Sequence, residues 1–204
     1  MYLPKRFENS DWVQSLALMQ KYPLATVISQ TEQGPFVSHL PLVVEVTEDV
    51  ITLFGHLARA NPHSKYLGKQ PVYVIFNGPQ AYITPKWYAE NDVPTWNYAV
   101  VHVKGSCTLI EDPAGIQKCL KVLSDFAEKD NADPWEFWIP EDLAAPGVLE
   151  KAIVGFSIQV ESIQSKFKLS QNRSEADRAG VIRGLESRKD DASQAISALM
   201  KQDT

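Results

Sequence analysis

The chain has 204 residues and carries 20 Lys and Arg against 25 Asp and Glu, a formal charge of −5. That balance argues against a nucleic-acid surface spread over the whole protein, though it leaves room for a local basic patch. The 44% hydrophobic content and five Trp are ample for a core, and no apolar run is long enough to cross a bilayer. Met1-Tyr2-Leu3-Pro4-Lys5-Arg6 lacks the apolar segment of a signal peptide, so a cytoplasmic location is expected. Cys107 and Cys119 are too few and too far apart for a zinc signature and read as buried thiols.

Ser10 or Asp11 caps a first helix that runs to about Tyr22. Trp12, Val13, Leu16 and Met19 recur three or four apart and predict its buried face. Pro23 stops it. Residues 24–29 read as a strand, and Thr31-Glu32-Gln33-Gly34 as a hairpin turn with Gly34 free to take positive φ. The partner strand runs from Pro35 to about Val46. The proline of Ser38-His39-Leu40-Pro41 marks an edge or bulge, where a ligand can reach the backbone. Thr47-Glu48-Asp49 turns the chain into a strand over Val50–Phe54.

Gly55-His56-Leu57-Ala58-Arg59-Ala60-Asn61-Pro62-His63-Ser64-Lys65 follows. Asn61 is a good N-cap and Pro62 suits the first helical position, which predicts a short helix to about Leu67, closed by Gly68. His56, Arg59, His63, Ser64 and Lys65 crowd this strand-to-helix junction, so the stretch reads as an anion site for the phosphate of a small cofactor. The competing reading is a solvated polar loop.

Residues 72–76 predict a strand buried on both faces, Asn77-Gly78 a two-residue turn, and residues 80–84 a return strand. Short strands joined by tight turns, without a βαβ alternation, predict an antiparallel barrel. A longer loop over residues 85–98 carries Trp87, Tyr88, Trp96 and Tyr98, which either cover the barrel end or flank a planar ligand. Ala99 to Ile110 returns as a long strand, with His102 in a structural role. Asp112-Pro113 opens a helix with Ile116, Leu120, Leu123 and Phe126 or Ala127 along one face. Residues 134–138, rich in aromatics, read as cover for a barrel or dimer surface. A weak helix is expected around Leu143–Glu150, and a final strand over Ala152 to Ile163.

Lys166-Phe167-Lys168-Leu169-Ser170-Gln171-Asn172-Arg173 is a second donor-rich stretch before a helix. Ser174 and Asp177 resemble a capping box, and Gly180 and Gly184 would allow close backbone packing. A last helix spans Ala192 to Met200. Arg173, Arg178, Arg183 and Arg188 recur every fifth residue, a step of about 500° that makes no stripe for DNA. Neither a Gly-x-Gly-x-x-Gly fingerprint nor a P-loop is present.

The blocks Met1–Pro4, Ser38–Pro41, Gly55–Pro62, Pro94–Tyr98 and Phe167–Arg173, in this order along the whole chain, resemble the PaiB-type family of flavin-binding transcriptional regulators. The resemblance implies a mainly β (α+β) fold, a six-stranded antiparallel FMN-binding split β-barrel with peripheral helices. It would occupy residues 1–165, with a C-terminal basic loop and helical extension over 166–204. FMN is the implied cofactor, at the interface of a homodimer. Arg59, Ser64 and Lys65 suit its phosphate, with His56 and Asn61 beside them and His39 at the 38–41 bulge near the ring. Trp96 and Asn97 would close over it from the neighbouring subunit, and Lys168, Gln171 and Arg173 form the second donor set. The implied function is negative regulation of transcription, acting directly on DNA or through a flavin or small-molecule signal. The alternative is an FMN-dependent oxidoreductase or flavin reductase.

Overall fold

The structure, a computed structural model, describes residues 1–48, 50–90, 92–141, 145 and 147–202. Its strands are β1 (Leu24–Thr31), β2 (Gly34–Pro41), β3 (Val43–Thr47), β4 (Val50–Ala58), β5 (Val72–Ile83), β6 (Thr95–Ile110) and β7 (Ile153–Lys168). They form one sheet in the order β2-β1-β5-β6-β7-β4-β3. The helices are α1 (Trp12–Lys21), α2 (Pro113–Glu128), α3 (Val148–Ala152), α4 (Glu175–Glu186) and α5 (Asp191–Gln202). The chain falls into two compact units. The first contains Met1–Lys21, Asn77–Val101 and Gln164–Thr204, and the second Tyr22–Phe76 and His102–Ile163. The C-terminal stretch from Gln164 therefore shares a unit with the N-terminal helix.

In the second unit β1 and β2 form the expected hairpin, with Thr31 opposite Gly34 and Gly34 at φ +110°. The expected strand from Pro35 to Val46 is two strands. Pro41 ends β2, and the Leu42 N–H donates to the Pro23 carbonyl at 2.9 Å instead of to a ladder. β2 is an edge strand, as its proline required. The split adds a strand and the unbroken β5 described below removes one, so the sheet has seven strands among the described residues, where the family resemblance implied a six-stranded barrel. β4 pairs antiparallel with β3 and with β7, setting Gly55 opposite Phe156 and His56 opposite Gly155. A Cβ on Gly55 would lie 2.5 Å from Leu42 Cδ2 and 2.6 Å from Phe156 Cζ, so only glycine lets these core side chains meet there. Asp112 caps α2 by accepting from the Gly115 N–H at 2.8 Å, and α2 buries Ile116 and Cys119. Trp135 and Phe137 meet edge-to-face at 6.0 Å in an irregular segment where Trp135 and Trp138 stay exposed. Of the weak helix expected around Leu143–Glu150, residues 142–144 and 146 lie outside the described residues, and α3 forms at Val148–Ala152.

Several expectations are corrected. Asn77-Gly78 makes no turn, because β5 runs through it without a break. The in–out phase of burial slips by one residue there, as it does at a bulge, so Phe76 and Pro79 are both buried. Gly78 serves packing, since a Cβ on it would lie 2.8 Å from Leu18 Cδ1 and 2.9 Å from the Ala99 carbonyl. The 72–76 segment is buried on one face only, with Tyr73 54% exposed. In α1 the buried face is Ser15, Leu18 and Met19, and Trp12 and Val13 are exposed. The Ser15 and Ser165 hydroxyls bond at 2.7 Å, and that polar contact turns the helix away from its most apolar stripe. β6 starts at Thr95, so Trp96 and Asn97 are strand residues. β7 continues to Lys168 and absorbs part of the second basic stretch.

In the first unit, Ser174 caps α4 by accepting from the Asp177 N–H at 3.2 Å. The Asp177 carboxylate accepts from the Ala89 N–H at 2.8 Å, so the capping box is half formed. Gly180 and Gly184 pack against Trp87: a Cβ on Gly184 would lie 2.2 Å from Trp87 Cδ2, and one on Gly180 2.0 Å from the Trp87 carbonyl oxygen. A Gly→Ala change inside an unobstructed helix gains about 1 kcal/mol. Here Gly184→Ala forces the indole out of its seat, and overpacking of this kind costs about 1–3 kcal/mol. We expect urea unfolding to show Gly184→Ala less stable than the parent, and the loss to shrink in a Trp87→Leu background.

Candidate functional site

The junction after β4 is built from local hydrogen bonds. Arg59 N–H donates to the Ala152 carbonyl at 2.9 Å, and Asn61 N–H donates back to Ala58 at 2.8 Å. The expected helix is a single 3-10 turn, Pro62–Lys65. Four residues carry almost no macrodipole, so any anion here is held by side chains and not by a helix end. Asn61 is the N-cap as expected: its Oδ1 accepts from His63 N–H at 3.0 Å, and its Nδ2 donates to Ser38 Oγ at 3.3 Å. Ser64 Oγ donates to the Asn61 carbonyl at 3.0 Å. Asn61 and Ser64 thus shape the turn with the groups that sequence reasoning assigned to a ligand.

His63 is fully buried and bridges two strands of the hairpin. Nδ1 lies 2.8 Å from Ser38 Oγ and Nε2 lies 2.9 Å from Ser29 Oγ. Phe36 packs its ring 4.9 Å from the imidazole. Burial holds the His63 pKa below the ordinary histidine value. A neutral ring has one donor and one acceptor. Since Ser38 Oγ accepts from Asn61, a consistent arrangement has Ser38 donating to Nδ1 and Nε2–H donating to Ser29. His63 is therefore a structural pin and not one of the junction's free donors.

The groups left for a ligand are His56, Arg59 and Lys65. His56 Nδ1 and Arg59 Nε are buried and have no hydrogen-bond partner. Such atoms are rare, because an unsatisfied buried polar atom costs about 1–3 kcal/mol. Burial holds the His56 pKa down. Arg59 Nη1 donates to Glu111 at 2.9 Å, and Nη2 to the Ile153 carbonyl at 3.4 Å. The Glu111 side chain is 56% exposed, so that ion pair is worth about 0–1 kcal/mol. A bond from arginine to a charged oxyanion contributes about 1.5–3 kcal/mol, enough to displace it. Lys65 is exposed, with no ion pair among the described residues. His39 projects from the exposed face of β2, its Nδ1 3.2 Å from Thr26 Oγ1. A phosphate dianion fits this donor set: one orphaned guanidinium N–H, one displaceable one and a free ammonium. Glu111, far from Arg59 in sequence, had no local signal that could have revealed it.

Trp96, Asn97, Lys168, Gln171 and Arg173 belong to the first unit. Trp96 is exposed and meets Tyr82 edge-to-face at 5.9 Å. Asn97 is fully buried, and its Nδ2 donates to Ser170 Oγ at 2.9 Å and to Met200 Sδ at 3.5 Å. Gln171 is folded back, with Nε2 donating to Phe167 O at 2.6 Å and Oε1 accepting from Leu169 N–H at 2.7 Å. Lys168 and Arg173 line a cavity, together with Arg6, whose segment had been read only for targeting.

Both cysteines are free and buried. Burial pushes the Cys107 thiol up to about 12 and raises Cys119 as well, so neither is a reactive thiolate. Among the described residues no grouping of His, Cys, Asp and Glu could hold a metal, and no helix is long and apolar enough to cross a membrane.

Residues 1–162 match the family described as "Putative FMN-binding domain". The chain is 36% identical over 207 residues to Protease synthase and sporulation protein PAI 2 of Bacillus subtilis, covering 98% of this chain and 97% of that protein. The chain belongs to the PaiB-type family. FMN is the cofactor of its domain family. An uncharacterized protein of Emericella nidulans is 31% identical over 214 residues, covering 89% of this chain and 84% of that protein. Two solved structures share the fold. The FAD and heme binding protein from Mycobacterium smegmatis has a TM-score of 0.62 at 15% identity, over 84% of this chain and 78% of that one. The flavocytochrome Anf3 from Azotobacter vinelandii has a TM-score of 0.59 at 21% identity, over 85% and 75%. The fold is thus the antiparallel split-barrel type of flavin-binding proteins, with peripheral helices.

The neutral His63, which is buried, and His56, which is half-buried, make stability depend on pH. Both pKa values are lowered by folding, so the unfolded chain binds more protons once the pH falls below about 6.5. Stability is fully present above that pH and is lost as the pH falls through and below it. Urea unfolding at pH 7.5 and 5.5 should show this loss, and His63→Gln should flatten part of the slope.

Proposed function

We propose that this protein is a PaiB-like FMN-binding regulator that holds the flavin phosphate at the junction after β4. Arg59 and Lys65 neutralise the phosphate, and His56 and the outward His39 complete the polar surround. The observation that carries this reading is the pair of buried, unpartnered atoms, His56 Nδ1 and Arg59 Nε, in the chain segment that also carries Lys65, which has no ion pair among the described residues. FMN when bound supplies electron-transfer chemistry, and the chain's part is to hold and orient it.

The regulatory effect is negative and runs through the flavin signal, not through a DNA-reading helix. Arg178 donates to the carbonyls of Leu169 and Met200 at 3.1 Å each, and Arg188 to that of Tyr82 at 3.0 Å. Arginines engaged with their own chain give no support to a phosphate-tracking stripe. The protein acts as a cytoplasmic homodimer. The exposed Tyr2, Trp12, Val13 and Trp96 of the first unit supply apolar surface for a second copy.

Arg59→Ala should weaken FMN binding about 10- to 100-fold, the equivalent of a charge-assisted contact of roughly 1.5–3 kcal/mol. Lys65→Ala should weaken it less, since that ammonium is more exposed. Both variants should keep the parent's circular dichroism. Flavin fluorescence quenching measures the affinities, and variants within twofold of the parent would remove Arg59 and Lys65 from the phosphate site.

A further inference from the structure

The first unit holds a cavity of about 240 Å³ that the flavin reading leaves unused. Arg6, Lys168 and Arg173 supply its charge, and Thr95, Ser170 and Asn172 its remaining polar groups; Phe7 completes the wall. Among the described residues no carboxylate lines it. The volume lies below the roughly 300–1,000 Å³ of pockets that enclose a drug-sized ligand. A nucleotide is therefore too large, and a phosphate or carboxylate group with a few further atoms is the right size.

The cations are held in place and incompletely satisfied. Lys168 Nζ donates to Thr95 Oγ1 and, at 2.6 Å, to the Trp96 carbonyl, which leaves one of its three protons. Arg173 pairs with Asp92 through Nη1 and stacks over the Tyr88 ring at 4.5 Å. Asp92 is the one carboxylate it is hydrogen-bonded to among the described residues. Arg6 has a ring contact to Phe7 at 5.6 Å and no ion pair among the described residues. Burial, and then the charges of Lys166 and Arg173, hold the Lys168 pKa below the ordinary lysine value. Unlike charge brought into the cavity relieves that repulsion. Ser170 takes a left-handed φ of +62°, uncommon for a residue with a side chain. Asn97 fixes it there, with bonds of 2.9 Å and 3.2 Å to its hydroxyl. Strained backbone of this kind persists where surrounding contacts hold it and is concentrated at ligand sites.

We propose that this cavity is a binding site for a small oxyanion, a phosphate or carboxylate group, recognised by Lys168, Arg173 and Arg6. The site is functionally separate from the flavin phosphate, a statement that rests on the assignment of that phosphate to Arg59 and Lys65. Its occupant is a small anionic substrate or effector of the flavin protein.

The test is calorimetric titration of inorganic phosphate into FMN-loaded protein and, in parallel, into apoprotein. We expect one phosphate per chain in FMN-loaded protein, and in apoprotein a phosphate-binding event that the cavity variants below remove, apart from any phosphate taken up at the vacant Arg59 and Lys65 site. Lys168→Gln and Arg6→Gln should each weaken phosphate at least tenfold while FMN affinity stays within twofold. Arg6 is exposed, so its variant folds even if loss of the half-buried cation does not allow Lys168→Gln to fold. Absence of phosphate binding to the parent at millimolar concentration overturns the inference. So does a fall in FMN affinity in these variants, which would make the cavity part of the cofactor site. If the protein takes up no FMN, the apoprotein titration still reads the cavity, so failure of the flavin reading is distinguished from failure of this one.

Discussion

The candidate site depends on one buried imidazole. His63 sits between Ser29 on β1 and Ser38 on β2, and through Asn61 it ties the 3-10 turn to the hairpin. Three polar side chains are buried there without charge, each satisfied by another. An apolar residue at 63 would leave both hydroxyls without this partner, and each unsatisfied group costs about 1–3 kcal/mol. The same bonds fix where the chain leaves β4, and so where Arg59 and Lys65 stand relative to β2. The turn that carries Lys65 is thereby bolted to the sheet.

That arrangement also explains why the junction tolerates imperfect satisfaction elsewhere. The neutral His63 adds no charge near Arg59, and the exposed Glu111 pair is weak enough to exchange for a stronger anion. The same chain segment thus holds a fully bonded polar framework and two atoms that are not bonded. Buried polar networks rigidify when complete, and the two orphaned nitrogens are conspicuous against them. The Cys119 thiol, donating to the Gly55 carbonyl at 3.2 Å, is part of the framework and not of the chemistry.

Local signals in the sequence marked the hairpin at Gly34, the edge proline of β2, the caps at Asn61, Asp112 and Ser174, and the tight packing of Gly180 and Gly184. Each of these depends on residues close in sequence or on backbone sterics. What sequence could not show depends on distant partners. Gly78 beside Asn77 has the composition of a turn, yet its role is set by Leu18 and Ala99 packing onto it. The rotated face of α1 follows from a serine pair 150 positions apart. Asn97 looked like a loop donor because Ser170 and Met200, its partners, lie far along the chain. The resemblance to the PaiB-type family supplied the cofactor class, which composition and spacing alone did not. The donor-rich stretches were legible, but which donors are already engaged was not, because hydrogen-bond partners are a property of the folded chain.

The claim at the centre of this account is that the second unit recognises a phosphate dianion with side-chain cations. Comparing FMN with riboflavin, which has the same ring and no phosphate, tests it most directly. The account predicts that apoprotein binds FMN at least about 100-fold more tightly, as expected for two charge-assisted contacts of roughly 1.5 kcal/mol each. Equal affinity for the two flavins would contradict it.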